Sequence, residues 1–259
     1  PRPDSRYGFA LAADANETRQ WLFGGILATH GGHYGNDLHV LELSPQGAPL
    51  AYHWQQVPIS GHTPIPGRRS PAMFYSEAQA ALFVVSGRSI GHTLFDDVWR
   101  FDLVGSAWTS LTPPETRPSP RFVALTARLA PDEYIIFHGR ESSLVVPTDS
   151  WLVNVAGTAP VFTPLDSVCE EMPTRNNGFL VVVDNSTVLV GWGMRVDYSI
   201  QADLQQLTID RANATICAQH FDTTGEAPTA TFWPTTALLN GTSLVVATGW
   251  DGVALKCTR

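Results

Sequence analysis

The stretch RQWLFGGILATH, Arg19 to His30, sets large apolar residues directly against two glycines and then runs into the polar segment GGHYGND. Four later stretches end the same way: ALFVVSGRS at Gly87, EYIIFHGRE at Gly139, STVLVGWGMR at Gly191 and Gly193, and SLVVATGWDG at Gly249. Each is a short apolar run rich in β-branched residues and stopped by glycine, which reads as a buried strand closed by a turn. Their separation, roughly 50 to 60 residues, is a period at which one repeat is one small sheet.

Other residues return at nearly fixed offsets around each stop. Upstream lie Arg6, Arg69, Arg121 and Arg175, three of them leading apolar segments: RYGFALAA, RFVALTARL and RNNGFLVVV. Downstream lie NDLHVLEL, DDVWRFDL, DSWLVNV and ADLQQLTI, led by Asp37, Asp97, Asp149 and Asp203 and alternating with the period of a strand. A fourth segment follows in each repeat: YHWQQV with Trp54, SAWTSL with Trp108, PVFTPL with Phe162, and ATICAQHF. Four short strands per repeat, joined by turns, make the blade of a β-propeller.

These residues resemble the kelch repeat, whose pattern is an arginine-led first strand, a second strand ending in Gly-Gly, a polar residue before the third, and a Trp in the fourth. The expected fold is therefore all-β: a single kelch-type β-propeller of four-stranded antiparallel blades spanning residues 1–259, with about five blades covered. The blades fall at about 3–57, 67–111, 118–165, 174–221 and, in part, 228–259. Gly24, Gly25 and Trp54 match the pattern in full; Ser86, His138 and Phe162 depart from it. An arc of sheets leaves two open faces, so the reading expects further sequence or a partner chain to complete the propeller.

The pattern has a physical logic. A second strand lies near the crowded centre, where neighbouring blades approach and a residue without Cβ turns without collision. A fourth-strand Trp packs its large area between adjacent sheets. The Asp residues are expected to accept backbone N–H bonds at loop ends, and the repeated Arg to bridge blades.

Composition narrows the function. Charged residues make up only 15% of the chain, against 21 glycines and 19 prolines, which favours strands and turns over long solvated helices. A formal charge of −8 with no Lys/Arg cluster repels phosphate backbones, so nucleic acid is not an expected partner. No apolar run approaches the roughly 18 residues needed to cross a bilayer, so membrane insertion of this chain is not expected either. The chain begins at Pro1 without a signal-peptide pattern, as expected of a processed chain or an excerpt. Four Asn-x-Ser/Thr sequons, at Asn16, Asn185, Asn213 and Asn240, point to N-glycosylation and the secretory pathway. Cys169, Cys217 and Cys257 fit one disulfide with one thiol left over, and their spacing matches no zinc pattern.

In a meander the first and third turns of a blade share one end, and the sequons all fall in such turns. Contacts are then expected at the other end, where Arg88, Arg140 and Arg195 follow the glycine stops of blades two to four. Three guanidiniums at equivalent positions could hold carboxylate or sulfate bidentately, unless Asp96, Glu141 or Asp197 tie them to their own loops. Blade one offers His30, His33 and Tyr34 there, and blade five Trp250. His30 and His33, with Asp37 nearby, have the spacing of a loop metal pair, but water-facing loop histidines are the commoner case, and no metal or cofactor is expected.

No catalytic constellation appears: there is no G-x-S-x-G, H-E-x-x-H or Walker pattern. The leading expectation is a non-enzymatic extracellular or cell-surface glycoprotein that binds or assembles with protein or glycan partners, one version being a subunit of a filament or surface coat. The alternative is the propeller domain of a secreted carbohydrate-active enzyme resembling the copper radical oxidases, with catalytic groups partly outside this segment; such an enzyme would need a Tyr–Cys cross-link and further Tyr and His ligands. An intracellular ubiquitin-ligase adaptor is a third reading, disfavoured by the sequons.

Overall fold

The computed structural model describes residues 2–44, 51–61, 64–142, 144–169 and 174–220, together with the strand segments 235–239, 243–247, 249–250 and 255–256. Asn240 and Cys257, and the side chains of His30 and Trp250, lie outside the described part. The chain divides into two compact units, one formed by 1–123 with 131–133 and 154–162, the other by 124–130, 134–153 and 163–259.

The fold is all-β, and its repeating unit is a four-stranded antiparallel blade. The described part has no α-helix; one 3-10 turn spans Ala28–His30. A two-residue ribbon, β1 (Arg6–Tyr7) with β4 (Ile26–Leu27), flanks blade one. That blade has the order β2 (Ala10–Ala13), β3 (Arg19–Phe23), β5 (Leu38–Leu43), β6 (Tyr52–Gln56). Blade two runs β7 (Ala72–Ser76), β8 (Ala81–Val85), β9 (Val98–Asp102), β10 (Ala107–Leu111). β7 and β8 are buried at every residue, as strands covered on both faces must be, whereas β6 and β10 show the part exposure of outer strands.

The third blade runs β11 (Leu125–Ala130), β12 (Glu133–Phe137), β13 (Ser150–Asn154), β14 (Val161–Ser167). The fourth runs β15 (Phe179–Val182), β16 (Thr187–Gly191), β17 (Leu204–Asp210), β18 (Thr215–His220). Two hairpins follow, β19 (Thr235–Leu239) with β20 (Ser243–Ala247) and β21 (Gly249–Trp250) with β22 (Leu255–Lys256). Asp37, Asp97, Asp149 and Asp203 each stand one residue before the third strand of their blade.

The sequence treats the repeats as separate sheets, and here the structure differs. β14 pairs in parallel with β18, Asp166 opposite Thr215 and Ser167 opposite Ile216, so blades three and four form one eight-stranded sheet joined at their outer edges. A weaker version joins blades one and two, where Ser60 bridges Ala107 in parallel and its single hydroxyl hydrogen is within reach of the Gly105 and Ser106 carbonyls, at 2.8 and 3.0 Å. Outer edges that face the same way along neighbouring blades have unpaired N–H and C=O groups, and pairing them removes that exposure.

Packing follows the aromatic positions. Trp21 of blade one stacks on Tyr75 of blade two with ring centroids 5.0 Å apart. Trp108 lies 5.2 Å from Phe23 of blade one and 5.0 Å from Phe101 of its own blade, so this fourth-strand Trp fills the space between adjacent sheets. In the second unit the core gathers Leu129, Ile135, Phe137, Val188, Val190, Leu207 and Ile216.

Candidate functional site

Each second strand ends in two residues of positive φ: Gly24 and Gly25, Ser86 and Gly87, His138 and Gly139, Trp192 and Gly193. The first place accepts a side chain; the second is glycine in all four. A Cβ on Gly193 would lie 2.7 Å from the Asn176 carbonyl oxygen and 2.8 Å from the Gly178 nitrogen, both at the entry to the first strand of the same blade. The expected collision with a neighbouring blade occurs instead at the first place of the first pair, where a Cβ on Gly24 would meet the Arg68 carbonyl oxygen at 2.6 Å.

The glycine pairs are held by buried arginines. Arg6 donates to both oxygens of Asp37 at 2.7 Å and to the Gly24 carbonyl at 3.1 Å. Arg68 donates to Asp97 at 2.6 and 2.8 Å and to the Ser86 carbonyl at 2.8 Å. Arg175 repeats the arrangement with Asp203 at 3.2 and 2.8 Å and the Trp192 carbonyl at 3.3 Å. Asp37 and Asp97 each also face a ring nitrogen, His39 Nε2 at 2.8 Å and Trp99 Nε1 at 2.8 Å, and Asp149, at the same place in blade three, takes the Trp151 Nε1–H at 2.7 Å.

Two expectations are corrected by this geometry. The Asp residues of the clamp accept from arginine and ring side chains rather than capping a loop backbone, because the third strand starts too close to the buried guanidinium for the charge to be left unmatched. The blade-two arginine of the clamp is Arg68, not Arg69, and the guanidiniums of Arg6, Arg68 and Arg175 each serve their own blade. Backbone bonds bridge blades one and two here, among them Gly25 N–H to the Arg68 carbonyl at 2.8 Å and Arg68 N–H to the Gly35 carbonyl at 3.1 Å. Burial alone would raise the Asp37 carboxyl, but hydrogen bonds from Arg6 and then His39 hold it below the usual carboxylate range.

Beyond the clamp, the loops between second and third strands carry the candidate contact residues. Arg88 and Arg69 exchange backbone hydrogen bonds at 3.0 Å, and both guanidiniums sit on the Phe122 ring, 4.9 and 5.1 Å from its centroid. The Arg88 Nη2 also meets His92 Nδ1 at 2.6 Å. Arg140 is buried, donates through Nε to the Ser142 carbonyl at 2.7 Å and lies 4.7 Å from the centroid of Tyr198. Arg195 is not the counterpart of Arg88: Met194 is, since Asn176–Met194–Ile200 repeats the bridging of Arg69–Arg88–Leu94. Asp96, a suggested anchor for these loops, is held by Arg117 at 2.6 and 2.9 Å, and Asp197 by its hydrogen bonds from Ser199, which lower its carboxyl pKa. His33 is exposed and Tyr34 half-buried, bridging to Ile26.

Sequence reasoning missed Arg69 as a loop residue, although the adjacent pair Arg68-Arg69 was a visible signal. It also missed the apolar tips of these loops: Ile90 in blade two, Leu144 and Val145 in blade three, Val196 and Tyr198 in blade four are all exposed.

Cys169 and Cys217 form a disulfide across the β14–β18 seam, Cα atoms 5.0 Å apart and 48 residues apart in sequence. This removes both as partners for a Tyr–Cys cross-link. Asn16 lies in the turn between β2 and β3, Asn185 between β15 and β16, and Asn213 between β17 and β18, all three exposed. Among the described residues no group of three His, Cys, Asp or Glu side chains could hold a metal, and no helix is long and apolar enough to cross a membrane.

Residues 1–191 match the family described as the KLHDC2/KLHL20/DRC7 Kelch-repeats domain. The chain belongs to this kelch-repeat family. The kelch chain also resembles a solved structure described as "Structure of YjhT", with a TM-score of 0.68 over 98% of this chain and 80% of that one. At 14% identity that likeness concerns the fold alone. No curated protein matches the sequence. A kelch domain is in general a protein-binding module, which agrees with blades whose buried polar groups are structural and whose loops vary from repeat to repeat.

Proposed function

We propose that this kelch domain is a non-enzymatic, extracellular or cell-surface binding module. Its loops between second and third strands, with the links that enter the first strands at the same end, engage an acidic protein or glycan partner, a second copy of the chain or a subunit of a surface coat included. The observation that carries the reading is the pair of guanidiniums, Arg69 and Arg88, laid on one Phe122 ring beside exposed Ile90. Both guanidiniums pack on Phe122, 5.1 and 4.9 Å from its centroid, and an acidic group meeting them would gain charge-assisted contacts, with exposed Ile90 of the same loop adding apolar area.

The compartment is supported by the Cys169–Cys217 cross-link, since disulfides of this kind persist in oxidising surroundings and are rare in the cytosol. The sequons agree with it. A copper radical oxidase is disfavoured because two of its three cysteines are already spent on each other.

The test is binding of the secreted chain to arrays of acidic peptides and sulfated glycans, before and after the double replacement Arg69→Ala, Arg88→Ala. Loss of two charge-assisted contacts should weaken a bound ligand at least about tenfold. Undiminished affinity with the fold intact would reject these arginines as the contact.

A further inference from the structure

We propose that Asn185 and Asn213 both carry N-linked glycans, which cover the turn end of blade four and leave its loop end as the contact surface. The inference rests on the extracellular reading above. It begins from two sequons, Asn185-Ser186-Thr187 and Asn213-Ala214-Thr215, that lie far apart in sequence but in the two turns that share one end of a meander. The structure brings those turns together: Arg211, two residues before Asn213, donates to the Asn185 carbonyl and reaches the Ser186 hydroxyl at 3.4 Å.

Both turns present asparagine outward. Asn185 is exposed between Asp184, whose carboxylate takes the Ser186 and Thr187 N–H groups at 2.8 Å, and the start of β16. Asn213 is exposed and donates one amide hydrogen to Asp210 at 2.7 Å. A carboxamide nitrogen has two hydrogens, so glycosylation removes one and the other still serves Asp210. The modification is thus compatible with the folded turn and does not require the turn to be rebuilt.

The step is a group transfer from a polyisoprenoid-diphosphate-linked oligosaccharide. The asparagine Nδ2 attacks the anomeric carbon and an N–C bond forms. The C–O bond to the diphosphate breaks, its electron pair leaving with the polyisoprenoid diphosphate, and the displaced amide proton passes to a base of the transferase. No electrons are lost or gained.

Large, hydrated oligosaccharides on the 183–186 and 211–214 turns would exclude a protein partner from that end of the blade. The opposite end of the same blade carries exposed Val196 and Tyr198, an apolar tip that glycans would not cover.

The experiment is intact mass of the chain secreted from eukaryotic cells, before and after peptide N-glycosidase in heavy-oxygen water, which labels each formerly occupied asparagine. Thr187→Ala and Thr215→Ala keep the asparagines but destroy the sequons, and each should lose the mass of one glycan; Thr215→Ser should retain it. A secreted chain with the disulfide intact but without label at Asn185 or Asn213 overturns this inference and leaves the extracellular reading standing. A secreted chain whose cysteines all titrate as free thiols removes the disulfide support for that reading instead, whatever the glycan mass.

Discussion

In blade two Arg68 reaches Asp97 at 2.6 and 2.8 Å and the Ser86 carbonyl at 2.8 Å, with the Phe95 ring 4.0 Å below the guanidinium. In blade four the corresponding Arg175 has longer contacts, 3.2 and 2.8 Å to Asp203 and 3.3 Å to the Trp192 carbonyl. Trp99 adds a ring N–H to Asp97, but its counterpart Gln205 leaves a buried Oε1 without a hydrogen-bond partner. Both guanidiniums are fully buried. A buried cation stabilises only if its donors and the facing carboxylate are all matched, so the second blade uses the clamp fully and the fourth uses it incompletely. What blade four has in its place is the outer-edge seam and the disulfide across it.

The comparison can be broken most directly at the arginines. Arg68→Ala leaves the Asp97 carboxylate against a cavity and should lower unfolding free energy by about 3–5 kcal/mol, read by urea denaturation. Arg175→Ala should cost clearly less, because fewer well-formed bonds are lost. Equal losses would show that bond length in the two clamps has no energetic meaning.

The seam is the next largest test. Joint replacement of Cys169 and Cys217 by Ala opens a loop of 48 residues and should destabilise by about 2–4 kcal/mol. Adding Arg175→Ala to that background should then cost more than it does with the disulfide present, a coupling that a double-mutant cycle measures. Strict additivity would mean that the cross-link does not compensate for the weaker clamp.

Much of this was legible in the sequence, for a reason that also sets its limit. Strand-terminal glycines, the Asp before each third strand and Trp108 occupy positions where one residue type is dictated by local geometry, so they recur and can be read. Arg68 and Arg69 are adjacent, and choosing between them needs the register of one residue, which flips a side chain from the clamp to the loop. The same one-residue ambiguity made Arg195 look equivalent to Arg88 when Met194 holds that register. The parallel β14–β18 pairing was not legible because it depends on how two outer edges meet, and neither edge signals its partner. Cysteine spacing left the pairing open; the seam is what brings Cys169 to Cys217.

Blade one supplies the finest test, because His39 stands where blade two has Trp99 and the Asp it contacts has a displaced titration. Arg6 and His39 outweigh burial and hold the Asp37 carboxyl below its unfolded value. A depressed folded-state pKa contributes stability that is fully present above the unfolded value, about 3.9 for Asp, and is lost as pH falls through the folded one. Stability measured from about pH 5 downward should therefore decline as protons enter the clamp. Asp37→Asn should be less stable near neutrality, since its amide cannot accept the bidentate charge-assisted pair from Arg6, and its decline below that pH should be shallower. If the two profiles stay parallel through the acid range, Asp37 is not the group whose protonation loosens blade one, and the acid sensitivity belongs to carboxylates elsewhere in the chain.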